Sequence, residues 1–331
     1  MKVIDLNQRS KEWLKWRSQG ITASDVPIIL GLSPYKTPWQ LWAEKTGKIN
    51  APDISDNPHV QRGIRLEDTI RQLAENRYDD VLLPVCGEYL EWNVLRASLD
   101  GFSFDERPFE FKAPCDSVWQ DIKENGIDSC NYRMYEAQVH TQCIVSGAKT
   151  GQLFFYNEDG RVQEFTVTLT PEKKSEIITV VTEFHNAVIN KKAPLTDPDR
   201  DWFIPDTKND WFLWGGNADL WRLNNHRIQA LKDELKALDR EQRELQESMV
   251  ALMGPFMQAD VSGVKITRYN KKGSIDYQSY LKDVLPDRKV VDELESYRKT
   301  PREEVRFSRS EDDLVNVDVD DVVTNVKSGY F

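Results

Sequence analysis

The sequence contains few of the side chains that usually bind zinc or form structural disulfides. It has four cysteines, separated by 29, 15 and 13 residues, and four histidines, of which no two are four positions apart. Neither spacing fits a zinc site. A chain of 331 residues is also large enough to fold without disulfides. We therefore expect reduced thiols, as in a cytoplasm.

Long apolar runs and familiar nucleotide-binding loops are also missing. No run approaches the roughly eighteen apolar residues of a membrane span, and the first residues, MKVIDLNQRSKEW, lack the apolar stretch of an export signal. The patterns GxxxxGK[ST], GxGxxG after a strand, and GxSxG do not occur. These absences predict a cytoplasmic protein without membrane contact and argue against the common nucleotide-binding and hydrolase loops.

Charge is unevenly distributed along the chain. The net charge is −11, yet residues 1–50 and 261–290 each carry a net charge of +4, whereas residues 311–331 carry −5. An acidic protein with basic patches fits DNA contact confined to a channel. It equally fits an ordinary acidic enzyme, so charge leaves both interpretations open.

Hydrophobic periodicity predicts an α/β domain followed by a mainly helical extension. We expect a first domain over 1–195, a linker rich in Pro, Asp and aromatic residues over 196–216, and an accessory region over 217–310. The remaining residues, 311–331, form an acidic tail that we expect to be disordered. The predicted helices and strands of the first domain lie at 9–18, 58–78, 80–113, 116–125, 132–147, 151–157, 161–168 and 171–191.

The accessory region begins with a predicted helix over 217–254. Its apolar residues follow alternating steps of three and four, as in a coiled coil, if Gln242 occupies one polar core position. This seam consists of Ile228, Leu231, Leu235, Leu238, Leu245, Met249 and Leu252. Internal packing, assembly and binding of a partner are all compatible with it. A hairpin with an Asn-Lys-Lys-Gly turn is expected next, carrying basic residues suited to phosphate contact: Lys265, Arg268, Lys271 and Lys272.

The stretch SLDGFSFDERPFEFKAP, residues 98–114, carries the first candidate site. Apolar and polar residues alternate in it, which predicts a hairpin with Phe109 and Phe111 on one face and Glu110 and Lys112 on the other. A hairpin with its charges in water is one interpretation. The other is an acidic metal site, formed with Asp100 and accompanied by the adjacent lysine.

A third acid, Glu67, falls on the core-facing side of the predicted helix over 58–78. A carboxylate there must be paired with an arginine, such as Arg62 or Arg71, or bound to a cation. Glu67, Asp100 and Glu110 together would form an oxygen-rich pocket of the kind that binds Mg²⁺ or Mn²⁺. Attack of water on a phosphodiester, assisted by such an ion and by Lys112, is the chemistry that these residues fit best.

The helix containing NYRMYEAQVHTQC adds polar residues on one face. Tyr135, Gln138 and Gln142 are separated by three and four positions and therefore point the same way. Taken alone, the two glutamines fit an ordinary helix surface.

These pieces together resemble the phage recombination nucleases related to lambda exonuclease, the YqaJ-type branch of the PD-(D/E)xK superfamily. The motif is LDG followed by EFK, with Asp100, Glu110 and Lys112, and Leu99 stands where the family often has proline. Glu67 matches the upstream acid of the family, and Gln138 matches a glutamine of its active site. The resemblance covers roughly residues 10–190.

The stretch WLKWRSQGITASDVPIILGLSPYKTPWQLWAEKTG is the most specific part of the resemblance. By it, Arg17 and Ser24 match the residues that hold the 5′-phosphate of the degraded strand, with Thr22 and Tyr135 as further possible DNA contacts. An arginine and a serine hydroxyl suit phosphate chemically.

The resemblance implies an α/β fold of the PD-(D/E)xK, restriction-endonuclease-like type, with a mixed central sheet flanked by helices. It implies two Mg²⁺ ions, with Mn²⁺ as a substitute, held near Asp100, Glu110, the Phe111 carbonyl and Glu67. It also implies 5′-to-3′ digestion of double-stranded DNA ends, leaving 3′ single-stranded overhangs. Expected partners are further copies of the chain in a ring of three or four and a single-strand annealing recombinase, in a bacterial host that carries a phage or prophage.

Two alternatives remain open from the sequence. One is an endonuclease or repair nuclease on the same fold, and the other is a protein that binds DNA ends and recruits an annealing partner.

Overall fold

The computed structural model describes residues 1–269 and Tyr280. Contacts divide the chain into one compact unit over Met1–Ile204 and a second that begins at Pro205. The first unit is a mixed α/β domain, as predicted, and its boundary lies at Ile204 rather than at the predicted position 195. The predicted tail over 311–331 and the Asn-Lys-Lys-Gly turn lie outside the described residues.

The first unit contains two four-stranded mixed sheets and seven helices. Its strands are β1 (Lys2–Ile4), β2 (Ile21–Thr22), β3 (Val85–Glu88), β4 (Leu95–Leu99), β5 (Gly101–Phe102), β6 (Pro108–Lys112), β7 (Thr150–Tyr156) and β8 (Val162–Thr168). Its helices are α1 (Lys11–Ser18), α2 (Val26–Ile29), α3 (Pro38–Lys45), α4 (Pro58–Tyr78), α5 (Asp116–Asn125), α6 (Cys130–Ser146) and α7 (Pro171–Ile189). Each helix predicted in this unit is present within a few residues of its predicted ends.

The two sheets meet at Asp100, the single residue between β4 and β5. The first sheet has the order β1-β3-β4-β2 and the second the order β5-β6-β7-β8. β2 runs parallel to β4 and β6 runs parallel to β7, while the other neighbours are antiparallel. Asp100 is therefore fixed by both sheets at once.

The predicted hairpin over 98–114 is present, with a shorter first strand than expected. β5 ends at Phe102, and Phe104, predicted to alternate within a strand, is 95% exposed in the turn. The turn forms instead because the Ser103 side chain accepts the Arg107 N–H and Glu106 adopts a left-handed backbone conformation with φ 60°. Phe109 and Phe111 pack on the α4 side of the sheet with Ile70 and Phe154.

The opposite face of β6 is covered by α6, whose side chains are mostly buried. Ser129 caps the start of this helix by accepting the Tyr132 N–H, and Gly147 ends it in a left-handed conformation. Glu110 consequently lies between β6 and α6 and is only 2% exposed. The interpretation in which the hairpin's charges face water is therefore wrong for Glu110.

The second unit consists, as far as it is described, of α8 (Lys208–Met253) followed by a hairpin of β9 (Gln258–Val261) and β10 (Val264–Thr267). α8 begins inside the predicted linker, because Thr207 and Asp210 form a capping box that starts the helix before position 217. The turn of this hairpin is at Ser262 and Gly263, both with positive φ. The predicted Asn-Lys-Lys-Gly turn lies beyond it, outside the described residues.

Replacement of Phe154 by alanine should strongly destabilise the first unit. The side chain is 1% exposed and meets Phe111 and Tyr78 edge to face, so its removal leaves a cavity beneath β6. The free energy of unfolding should fall by about 3–5 kcal/mol, as measured by urea denaturation. Phe104→Ala is the matched control, because Phe104 is exposed and should change the free energy of unfolding by less than about 0.5 kcal/mol.

Candidate active site

Glu110 and Lys112 project from the same face of β6 and form an ion pair with each other. The Lys112 ammonium also lies 5.2 Å from the centre of the Tyr135 ring on α6. Burial alone would lower the pKa of Lys112, but the negative charges of Glu110 and Asp100 outweigh burial and raise that pKa above its ordinary value. Lys112 is therefore a fixed cation at neutral pH.

Two glutamine amides from α6 hold the Glu110 carboxylate. The Gln138 Nε2 group donates to Glu110 Oε1 at 2.7 Å, and the Gln142 Nε2 group donates to Glu110 Oε2. Gln138 is half-buried and Gln142 is fully buried, so the interpretation of these glutamines as surface residues is wrong. Because the two glutamines are four residues apart, both lie on the face of α6 that packs against β6.

Gln142 is a site residue that the sequence analysis did not single out, although it placed Gln142 on the same helix face as Gln138. Its Nε2 group also lies 3.3 Å from the Ser98 carbonyl on β4. Its Oε1 atom is buried and has no hydrogen-bond partner among the residues that the structure describes. A buried acceptor left open beside a carboxylate indicates a place for a donor, such as a water molecule.

Asp100 lies beside Glu110 and is half-buried. Its Oδ2 accepts the backbone N–H of Phe111 at 2.9 Å, which fixes the carboxylate against β6. Burial and the charge of Glu110 raise the pKa of Asp100 to about 8, against the opposing effect of Lys112. Two close carboxylates repel each other when both are ionised, and a divalent cation relieves this repulsion. Their chemistry suits Mg²⁺ or Mn²⁺.

The Glu67 carboxylate forms ion pairs with two arginines. Arg71 donates to one carboxylate oxygen at 2.9 Å, and Arg9 pairs with the other oxygen. Arg71 also reaches the Asp100 backbone carbonyl at 3.2 Å, which links Glu67 to the site. Of the two interpretations left open for Glu67, the structure shows the arginine-paired one, with Arg71 as an anticipated partner and Arg9 as an additional one. Over residues 1–269, no three His, Cys, Asp or Glu side chains are grouped to bind one metal ion.

Arg17 lies in a second cluster, between α1 and the loop after β2. Its Nη2 group donates to the Ser24 hydroxyl at 2.7 Å and lies 3.5 Å from the Thr22 hydroxyl. Its guanidinium stacks on the Trp13 ring, 4.5 Å from the ring centre. These partners are neutral, and within the described part of the chain Arg17 forms no ion pair with a carboxylate. Arg17 is thus held in place with its charge available to an anion.

Asp25 lies close to this cluster but is neutralised by another residue. Lys45 pairs with Asp25 at 3.0 Å, and the Thr22 N–H donates to the same carboxylate at 2.9 Å. Burial opposes ionisation, but Lys45, the Thr22 N–H and Arg17 together hold the pKa of Asp25 below its usual range. The segment from Thr22 to Ser24 is therefore fixed mainly by the ion pair between Asp25 and Lys45.

Strand β4 connects the two clusters. The Trp13 indole N–H donates to the Ser98 hydroxyl at 2.8 Å, while the Ser98 carbonyl accepts from Gln142. Ser98 precedes Asp100 by two residues. One strand therefore positions both the aromatic support of Arg17 and the amide that holds Glu110.

The basic residues predicted in the second unit have different environments. Lys265 is exposed on β10. Arg268 donates to the Gly254 and Val250 carbonyls at 2.6 and 3.2 Å, so it caps the end of α8. Lys271 and Lys272 lie outside the described residues.

The first unit carries a recognisable domain. Residues 12–149 match the model of the YqaJ-like viral recombinase domain. Over 66 residues the chain is 42% identical to the uncharacterized protein YqaJ of Bacillus subtilis (strain 168), a match that spans 20% of each protein's length. The resemblance to YqaJ-type proteins is therefore confirmed for this region, which contains all the catalytic and phosphate-binding candidates.

The chain is also similar to two solved structures over part of its length. An alkaline exonuclease (LHK-Exo) from Laribacter hongkongensis is 21% identical with a TM-score of 0.47, covering 55% of this chain and 94% of its own. A phage related exonuclease from Haemophilus somnus 129PT is 13% identical with a TM-score of 0.39, covering 53% of this chain and 96% of its own.

Among the described helices, none is long and apolar enough to cross a membrane.

Replacement of Gln142 by leucine should destabilise the fold through Glu110. The variant leaves one oxygen of a buried carboxylate without its donor, which should cost about 1–3 kcal/mol of unfolding free energy in urea denaturation. Adding Glu110→Gln should remove most of this cost, because the uncompensated charge is then gone. Gln72→Leu on the exposed face of α4 is the matched control. An equal cost of Gln142→Leu with and without Glu110→Gln would contradict the interaction.

Proposed function

We propose that this protein is a metal-dependent 5′-to-3′ exonuclease acting on double-stranded DNA in phage-type recombination. The observation that carries the proposal is the buried Glu110 carboxylate, joined to Lys112 and adjacent to Asp100, inside the YqaJ-like domain. The order and spacing of these residues fit the superfamily motif that the sequence resembles.

Asp100 and Glu110 would hold the metal, with the Phe111 carbonyl as a main-chain ligand. Mg²⁺ bound there would lower the pKa of a coordinated water and offset charge on the scissile phosphate. Glu67 would contribute to a second ion only after leaving Arg9 and Arg71. With those pairs in place, it acts by holding Arg71 against the Asp100 carbonyl.

Lys112 would act as a hydrogen-bond donor rather than as a base, because its ammonium group is paired with the Glu110 carboxylate. Its ammonium can orient the attacking water or stabilise the charge that develops on the phosphate. Gln138 contacts the same oxygen of Glu110 as Lys112 does, so it fixes the carboxylate that holds the lysine. Tyr135 limits the movement of the lysine from the other side.

Arg17 and Ser24 would bind the terminal 5′-phosphate. Arg17 already rests on Trp13 and on the Ser24 and Thr22 hydroxyls, so little side-chain order has to be gained when the phosphate binds. An end-specific phosphate contact connected to the cleavage site by one strand suits stepwise removal of nucleotides. We further propose a ring of three or four copies around the duplex and a single-strand annealing recombinase as a partner, in a bacterial host cell.

The proposal is tested by digesting linear duplex DNA, labelled at either the 5′ or the 3′ end, with Mg²⁺ or with EDTA. We expect early release of the 5′ label with Mg²⁺ and no release with EDTA. A covalently closed circular duplex should stay intact. Cleavage of the circle would favour an endonuclease, and binding of ends without release of either label would favour an end-binding protein.

Lys112→Ala should abolish cleavage while DNA binding is retained. The side chain is proposed to act on the water and the developing charge, and the carboxylates that bind metal are unchanged. The rate of label release should fall by at least roughly a hundredfold, whereas the dissociation constant for a phosphorylated duplex end should change little. Parallel loss of binding would contradict the assigned role.

Arg17→Ala should reduce the preference for 5′-phosphorylated over 5′-hydroxyl ends. A charge-assisted contact contributes about 1.5–3 kcal/mol, so the ratio of kcat/KM for the two ends should fall by roughly tenfold or more. Arg133→Ala is the matched control, because Arg133 is exposed and pairs with Asp128 on the surface. An unchanged ratio in Arg17→Ala would contradict phosphate binding by this residue.

A further inference from the structure

α8 exposes a continuous apolar seam. The helix has 46 residues, about 69 Å in length at 1.5 Å per residue. The seam leucines Leu231, Leu235, Leu238 and Leu245 are each 54–59% exposed, and Leu252 is 85% exposed. In proteins, a helix gains most of its stability by burying such a face against another element. A seam with coiled-coil spacing is best buried by a second helix.

The heptad spacing of the seam continues toward the start of α8 through Trp214, Asn217, Trp221 and Asn224, so the whole helix of a second copy can cover it. The heptad places Ile228, Leu235, Gln242 and Met249 at a positions and Leu231, Leu238, Leu245 and Leu252 at d positions. The residues flanking the seam then determine whether two copies run parallel or antiparallel.

A parallel pair in register is opposed by charge. Each g residue would face the e residue five positions further along the second copy. Arg227 would face Lys232 and Glu234 would face Asp239, and both contacts join like charges. Because the two copies of the pair are related by twofold symmetry, each of these repulsive contacts occurs twice.

In an antiparallel pair that overlaps along almost the whole helix, the flanking charges attract each other. In this register, Lys208 of one copy lies beside Ala251 of the other, and Arg227 faces Glu234 twice. Sliding the helices by one heptad brings Glu234 against Glu234 in one direction and Arg227 against Arg227 in the other. The register with the greatest overlap is therefore also the one that charge favours.

The core positions of this register are compatible with the same arrangement. Ile228 faces Leu231 at the centre, and the polar Gln242 faces the polar Asn217. Asn224 faces Leu235 and, toward each end of the overlap, Asp210 faces Met249, and both contacts lower the stability of the pair. A polar pair inside a coiled coil fixes register and orientation at some cost in stability.

We propose that two copies of this chain pair through α8 as an antiparallel coiled coil, with Arg227 of each copy beside Glu234 of the other. The pairing is independent of the proposed nuclease activity, since it involves only the second unit. It would join two YqaJ-like domains into one assembly.

The test is the assembly of the full chain, measured by analytical ultracentrifugation. Arg227→Glu should raise the dissociation constant of the α8 pair by roughly tenfold, because two attractive contacts become repulsive. Arg227→Glu combined with Glu234→Arg should restore it. Arg240→Glu makes the same charge change on the outer f position and should leave the constant unchanged. Leu238→Asp should abolish the pair. It should halve the mass of an assembly whose halves are joined only through α8, and weaken the association of a ring that contains α8 pairs.

The outcomes separate the possible arrangements. Tighter association of Arg227→Glu would indicate a parallel pair, since that variant removes the repulsion from Lys232, and would overturn the proposal. If Leu238→Asp leaves both the mass and the association constant of the wild-type assembly unchanged, α8 does not pair with a second copy. Circular dichroism of each variant checks that α8 remains helical.

Discussion

The Glu110 carboxylate is the group on which the rest of the first unit depends. It lies between β6 and α6 almost without exposure, and two amides and an ammonium group compensate its burial. An unpaired charge in that position would cost several kcal/mol. The requirement to supply these donors explains why α6 carries glutamines on its buried face, and why β6 has phenylalanines on one side and charges on the other.

Strand β4 contacts both the Glu110 cluster and the Arg17 cluster through Ser98. Ser98 on β4 accepts from Trp13 through its hydroxyl and from Gln142 through its carbonyl. Arg17 rests on Trp13, and Gln142 holds Glu110. A residue proposed to bind phosphate and a candidate metal ligand are therefore positioned by the same strand. In a stepwise nuclease this arrangement would fix the distance between the strand end and the bond to be cut.

Much of the fold could be predicted from local sequence patterns. Most of the features that could not be predicted depend on contacts between residues distant in sequence. Alternation at Phe109–Phe111 predicted the correct faces of β6, because burial of one face is a period-2 signal. The pairing of Arg9 with Glu67 joins residues 58 positions apart, and the burial of Gln142 depends on where β6 lies. The start of α8 was missed although its signal was local: the capping box formed by Thr207 and Asp210 was hidden within a Pro- and Asp-rich segment.

Asp100 and Glu110 are proposed to form a carboxylate pair that binds a divalent cation. Titration of the full chain with Mn²⁺, followed by electron paramagnetic resonance without DNA, measures this directly. Wild type should bind Mn²⁺, and Glu110→Gln, which keeps the shape of the side chain without its charge, should weaken binding at least tenfold. Equal binding by the two proteins would contradict the account.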